Sequence, residues 1–374
     1  MSKGAYIGVN GVAKKVKGSY IGVDNIAKKI DKIYVGIGGV ARLYFDSNSS
    51  GGLTYYGTIT SLNTPLYKLA ATTVGNYALF GGGRARSHSD VMTAYDASLT
   101  RSTPTVLSKA RSYSAATTVG NYALFAGGDS SSGYQSTVDA YNTSLTRSTP
   151  TALSVSRVEL NATTVGNYAL FAGGINNQNN AISTVNAYNA SLTRTTPTSL
   201  SKARSVPAAT TVGNYALFAG GYISASNSVV DAYNTSLTRS TPTALSKARY
   251  QSGATTIGNY ALFGGGYNGN YLPIVDAYDV SLTRSTPTEL SLPKRYVVAT
   301  TVGNYALFGG GRDPKGPSSV VDAYDTSLTR STPTALSKAR YRLAATTVGN
   351  YALFGGGAYN DTTYSADVDV YKII

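Results

Sequence analysis

The sequence predicts an all-β chain: a seven-bladed β-propeller of four-stranded antiparallel blades, closed by an N-terminal strand and preceded by a small β-hairpin-repeat module. Three observations carry this expectation. The octet "NYALFGGG", or its variant "NYALFAGG", occurs seven times and places Tyr77, Tyr122, Tyr168, Tyr215, Tyr260, Tyr305 and Tyr351 at intervals of 45 to 47 residues. One full unit, 299–340, reads "ATTVGNYALFGGGRDPKGPSSVVDAYDTSLTRSTPTALSKAR", four short strands parted by turn residues and without helical apolar spacing. The last unit stops after its third strand, while "TYYGTITSL" (54–62) aligns with the missing fourth, with Ile59 at its proline position.

Within a unit, "AATTV" is strand A, "NYALF" strand B, "VVDAY" strand C and "RSTPTAL" strand D. "VGN" makes a tight A–B turn, and Asp or Asn with Ser turns the chain between C and D. "YALF" is apolar without alternation, which suits a strand covered on both faces. The glycines behind it allow close backbone approach. Strand D carries Pro104, Pro150, Pro197, Pro242, Pro287 and Pro333, as an outer edge strand tolerates.

Residues 1–46 hold a second repeat of 14 residues with Tyr6, Tyr20 and Tyr34 in register. It parses as a β-meander of five-residue strands, with Asn10-Gly11 and Gly38-Gly39 as hairpin turns. Ile7, Val9, Val12 and Val16 fall on one face, as do Ile21, Val23, Ile26 and Ile30. So short a sheet buries too little by itself, so this module is expected to serve assembly or attachment, as a homo-oligomer or on a host particle. Residues 47–52 then read as a linker, and 53–374 as the propeller.

The composition excludes several classes. With 42% hydrophobic and 13% charged residues, the chain is not intrinsically disordered, and without cysteine it has neither disulfides nor thiolate metal sites. No apolar run approaches a membrane span, and the start lacks a signal-peptide core. Synthesis in the cytoplasm, with exit by lysis or within a larger particle, is the expectation. The net charge of +14 favours polyanions in general, but it is spread: residues 1–46 carry eight Lys/Arg against three Asp, and the rest 24 against 15 acids. Sequence-specific nucleic-acid binding is not expected.

Titratable groups suited to catalysis are few. His88 is the single histidine, and Glu159 and Glu289 are the only glutamates, two to three blades apart. Eight of the sixteen Asp occupy repeated "VDAY" or "AYD" positions, where turn capping and scaffold pairing account for them. No catalytic, metal or cofactor residues are assigned. Two cation series recur. Arg101, Arg147, Arg194, Arg239, Arg284 and Arg330 open strand D and read as braces of the C–D turn. Arg111, Arg157, Arg204, Arg249, Lys294 and Arg340 precede strand A at the channel rim, with Leu66 in the first unit; they either hold an anion or bond the scaffold.

The residues that differ between units point to a binding face. In such a blade the A–B and C–D joints share one face of the disc, and the B–C and D–A joints the other. The first pair is nearly constant and the second differs in every unit: "RARSHSD" with Arg84, Arg86 and His88, "INNQNNAIST" with Asn177, "RDPKGPSS" with Arg312. After the rim position come "YKL", "SYS", "VEL", "SVP", "YQS", "RYV" and "YRL". Thirteen tyrosines remain outside the repeated strands and the N-terminal module, and eleven fall on this face: Tyr67, Tyr113, Tyr134, Tyr222, Tyr250, Tyr267, Tyr271, Tyr296, Tyr341, Tyr359 and Tyr364. Tyr with Ser, Gly and Asn suits adaptable binding loops and sugar rings, although Tyr67, Tyr250 and Tyr341 also suit packing between blades.

The unit resembles the kelch repeat: an A strand, a B strand ending in Gly-Gly, then Tyr-Asp on strand C, as at Tyr95-Asp96, Tyr278-Asp279 and Tyr324-Asp325. Where kelch units carry a Trp on strand D, this chain has Ser102 or Thr195. The segment "AYIGVNGVAKKVKGSYIGVDNIAKKI" resembles repeats of tail-associated structural proteins of phages and prophages of Gram-positive bacteria. That resemblance implies a receptor-binding or tail-tip protein on a virion or tail-like particle, directed at a cell-surface polysaccharide or other polyanion. The alternative is an intracellular kelch-type scaffold that grips a protein partner through the same face.

Overall fold

Every copy of the long repeat folds into one four-stranded antiparallel sheet, and seven such sheets make a propeller without helices. A computed structural model describes residues 52–374 throughout, and before them the backbone of six strands between residues 6 and 46. The first blade comprises Ala70–Val74, Tyr77–Gly81, Met92–Asp96 and Arg101–Ser102, paired in that order. Strand B lies between A and C and its faces meet the two neighbouring blades, which is why Ala78, Leu79 and Phe80 are all buried. The core is therefore a set of layers between blades. Leu79, Met92 and Ala94 of the first blade pack on Ala123, Phe125 and Tyr141 of the second. Burying such an aromatic stabilises by about 1.5–3 kcal/mol. Tyr141 also donates its hydroxyl to the Thr105 carbonyl of the blade before it (2.8 Å), and Tyr95, Tyr188, Tyr233, Tyr278, Tyr324 and Tyr371 repeat that bond.

The glycine after strand B has a steric reason. Gly82 sits at φ 64°, and a Cβ there would lie 2.6 Å from the Arg111 carbonyl oxygen. The paired threonines of strand A have one as well. Each blade joins its neighbour by a Thr–Thr hydroxyl bond of 2.7–3.0 Å: Thr72 with Thr118, Thr117 with Thr164, and so on to Thr346 with Thr73. The second hydroxyl of each pair donates to a carbonyl of the preceding blade, as Thr164 does to Thr118 (2.6 Å). The belt closes after seven steps and lines the channel wall.

The seam closes as the sequence predicts. Strand Leu53–Ile59 pairs with Val368–Ile373 as the fourth strand of the seventh blade. Tyr55 reinforces it by donating to Asp369 (2.6 Å) and packing on Tyr371 at 5.2 Å. Strand D elsewhere is shorter than expected: only two residues pair, such as Arg101–Ser102 on Tyr95 and Ala94. The six prolines lie just beyond it, because a residue without an N–H ends the ladder.

In the N-terminal segment the strands pair two by two: Val9 faces Val12, Val23 faces Ile26, and Ile37 faces Val40, while the turn residues between them lie outside the described residues. The side-chain faces expected of this module, its role in assembly, and linker residues 47–51 lie outside the described residues. Among the described residues no helix is long and apolar enough to cross a membrane.

Candidate functional site

The two ends of the blades differ in kind. At the A–B and C–D end the first six units are built alike: Asp96 Oδ1 accepts from the Ser98 and Thr100 amides (2.8 and 2.9 Å), and Asn142, Asn189, Asn234, Asp279 and Asp325 do the same. The opposite end carries the variable segments, and these are firmly held. The D–A segment pairs with the B–C loop of its own blade, as where Tyr67 and Arg84 exchange backbone bonds of 3.0 and 2.9 Å. Bridges between Tyr250 and Tyr267 and between Tyr341 and Ala358 repeat the device.

The rim cations are not at a rim. Arg111, Arg157, Arg204, Arg249, Lys294 and Arg340 are all fully buried. Arg111 donates to Asp139 of its own blade (2.6 Å), whose second oxygen accepts from Arg147 at 3.4 Å. Asp231, Asp276 and Asp322 are clamped between their two cations in the same way. In the seventh blade Asp369 takes Arg340 and Tyr55. Both cation series are thus scaffold, fixed by a strand-C carboxylate that lies behind them. Two blades depart from the pattern. Leu66 and Thr93 replace both partners in the first, and in the third Asn186 replaces the acid (2.8 Å from Arg157). Burial opposite that neutral partner lowers the Arg157 pKa to about 10.

Two residues further along the chain lies a site that sequence reading did not isolate. Lys68, Tyr113, Glu159, Val206, Gln251, Tyr296 and Arg342, one per blade, all have φ between 49° and 59°. Side chains rarely adopt this left-handed conformation, which costs about 1–2 kcal/mol per residue. Interblade backbone bonds fix it: Lys68 N–H to Arg342 O (3.0 Å), Tyr113 to Lys68 (3.0 Å), Val206 to Glu159 (2.8 Å) and Tyr296 to Gln251 (2.9 Å). The seven form a collar around the channel mouth, above the threonine belt, and line a cavity of about 330 Å³. Only Tyr113 and Tyr296 were singled out from the sequence as ligand contacts. Glu159, given no role there, is part of the collar. The available signal was positional: the seven are the middle residues of the triplets "YKL" to "YRL".

Charge in the collar is poorly compensated. The Lys68 ammonium lies over the Tyr113 and Tyr67 rings at 4.2 and 4.7 Å. Burial, with Arg342 and Arg84 nearby, lowers its pKa to about 8. Arg342 donates to the Tyr296 hydroxyl (2.8 Å) and lies 4.4 Å from that ring's centre, but its buried Nε has no partner. Burial raises the Glu159 pKa, opposed by Arg342 and Lys68 and by a hydrogen bond from Ser205. Gln251 Oε1 is buried without a donor.

The other expected contacts divide into an aromatic band and internal braces. Tyr222, Tyr250, Tyr267 and Tyr271 follow one another at centroid separations of 5.0, 5.9 and 5.3 Å. Arg295, not singled out before, lies over Tyr267 (4.7 Å), Tyr271 (5.2 Å) and Tyr296 (5.2 Å). Tyr341 is buried and donates to Asp361 (2.6 Å), with Arg312 over its ring, so it is chiefly packing. Tyr67 stacks on Tyr364 at 4.6 Å across the seam between the first and seventh blades. The Tyr134 amide and hydroxyl donate to Asn177 and Asn179 (3.0 and 3.2 Å), joining two loops. His88 meets Asp129 at 3.1 Å, and Tyr359 bonds Ser365 and Asp367 within its own loop. Arg86 is exposed, and Arg84 half-buried.

No family model matches the chain, and no curated protein matches it. Among solved structures, one described as "Structure of YjhT" is similar at a TM-score of 0.58 and 12% identity, over 74% of this chain and 99% of that one. Likeness at that identity bears on the fold alone, and it agrees with a β-propeller.

Proposed function

We propose that the protein is a non-catalytic recognition module that binds a cell-surface glycan or anionic wall polymer through the B–C and D–A face. One observation carries the reading. At seven structurally equivalent collar positions the chain places six different residue types, directly above a belt of threonines that it repeats without change. A scaffold position would repeat as the belt does. The surrounding face adds aromatic planes and the cations Arg84, Arg86, Arg295 and Arg312, which suits an anionic sugar polymer. The likeness of the N-terminal repeats to phage tail-associated proteins supports mounting on a phage or tail-like particle, and the kelch-like unit supports a binding disc.

The test uses the labelled full chain on intact Gram-positive cells. Decoration is expected at low salt, falling several-fold as ionic strength rises from about 0.05 to 0.5 M. Walls stripped of anionic polymer should lose it. Absence of decoration across a broad panel of cells overturns the reading. A second reading, a protein partner, is favoured by Tyr222 and Ile223, which are adjacent and exposed on the fourth blade. Salt-insensitive binding that depends on these two residues would select it.

A further inference from the structure

The residues of the collar differ, but their order around the ring is not random in chemistry. The cations Arg342 and Lys68 sit on adjoining blades. Tyr296 and Tyr113 come next on either side, then Gln251 and Glu159, and Val206 closes the ring opposite the cations. The cavity therefore has a cationic end, two aromatic flanks and an end that offers acceptor oxygens. Elsewhere this molecule clamps each buried strand-C carboxylate between two donors. In the collar, among the described residues, neither Lys68 nor Glu159 has an ion-pair partner, and Gln251 Oε1 and Arg342 Nε have no hydrogen bond. A cationic end and an acceptor end that line one cavity without pairing to each other point to a ligand that bridges them.

We propose that the collar binds one acidic sugar unit end-on. Its anionic group meets Arg342 and Lys68, its ring lies between Tyr113 and Tyr296, and its hydroxyls donate to Gln251 and Glu159. The cavity of about 330 Å³ accommodates a single unit rather than a run of several. The anion is a carboxylate or a phosphate, which share this chemistry. The proposal rests on the recognition reading above and specifies where on that face the polymer is gripped.

The test is calorimetric titration of the full chain with glucuronate, glucose 6-phosphate and glucose. Glucuronate or the phosphate, or both, should bind at least tenfold more tightly than glucose, and the stronger of the two identifies the anion. Arg342→Gln and Lys68→Gln should each weaken the preferred acid by about tenfold or more, the loss expected for a charge-assisted hydrogen bond. Glu159→Gln, which removes charge but keeps an acceptor, should change it less than threefold, and exposed Lys247→Gln, outside the variable loops, should leave it unchanged. Equal affinity for glucose and the acids, no heat from either acid up to about 20 mM, or indifference to both cation variants in folded protein overturns the proposal. Cell decoration separates the two readings. If both cation variants decorate cells as well as the parent does, the face reading stands and the collar proposal fails. If the parent itself decorates nothing, the face reading fails.

Discussion

Lys68 shows what a single half-buried charge does to the site. Its ammonium faces Tyr67 and Tyr113 on ring faces, with Arg342 and Arg84 as like charges and Asp129 and Glu159 as opposite ones. Burial and the like charges win, so the pKa falls to about 8 from the usual 10.5. Tyr67 and Tyr113 are themselves pushed up by burial and stay protonated across this range. Between pH 8 and 10.5 the unfolded chain therefore holds more protons at this position than the folded one. The sign follows: the cost of holding Lys68 charged is full below about pH 8, and stability contributed at this residue rises with pH until about 10.5. An acidic ligand needs the protonated form, so its affinity moves the other way. Titrations of the preferred acid at pH 6.5, 8 and 9.5 should show affinity falling as pH rises through 8. Lys68→Gln should flatten that fall while folding normally. An unchanged pH profile in Lys68→Gln would mean that this amine does not face the anion.

At the scale of the blade, the carboxylate clamp is a cassette, and the first blade supplies its natural alternative. Arg204, Arg239 and Asp231 form the clamp in the fourth blade, while Leu66 and Thr93 fill the two buried positions in the first. Arg204→Leu leaves the fully buried Asp231 with the Ser201 amide (3.0 Å) and Arg239 (3.3 Å) on one oxygen and nothing on the other, and should cost about 3 kcal/mol. Adding Asp231→Thr removes the stranded charge, and the pair should return to within about 1 kcal/mol of the parent. Urea unfolding midpoints measure both; a double variant no better than the single one would show that the clamp is valued for more than charge pairing. The blade itself was legible in the sequence because its signals are local: the apolar octet, the glycines behind it, the Asp–Ser turns and the prolines that end strand D. The fate of the rim cations was not, because it depends on Asp139 and its equivalents on a strand about thirty residues away. The threonine pair read only as part of strand A, since its hydroxyls find partners once neighbouring blades stand side by side. The collar was hidden for a third reason. Its backbone conformation normally announces itself by Gly or Asn, and here it is imposed on Lys, Tyr, Glu, Val, Gln and Arg by interblade bonds.

At the scale of the whole molecule, ring closure makes the site, since the collar needs all seven blades and the first must meet the seventh. Lys68 bonds to Arg342 across that seam, and Tyr67 stacks on Tyr364 there. The two cations of the collar thus belong to blades that the seam alone brings together. What holds the seam is strand Leu53–Ile59, seven residues long where the other fourth strands have two. A chain that begins at residue 60 leaves the Val368–Ile373 edge unpaired and removes Tyr55 from Asp369, which keeps only Arg340 and the Ser337 amide (2.8 Å). Its melting temperature should fall by about 5 °C or more, given that 1 kcal/mol shifts a domain of this size by a few degrees. It should also self-associate through the bare edge. A chain that begins at residue 52 keeps the strand and serves as the control. Binding of the acidic sugar should be lost along with closure, and a synthetic peptide of residues 52–60 should restore both by occupying the edge. If the shortened chain melts with the control, the ring is closed by blade packing rather than by this strand, and the seam has no special hold over the site.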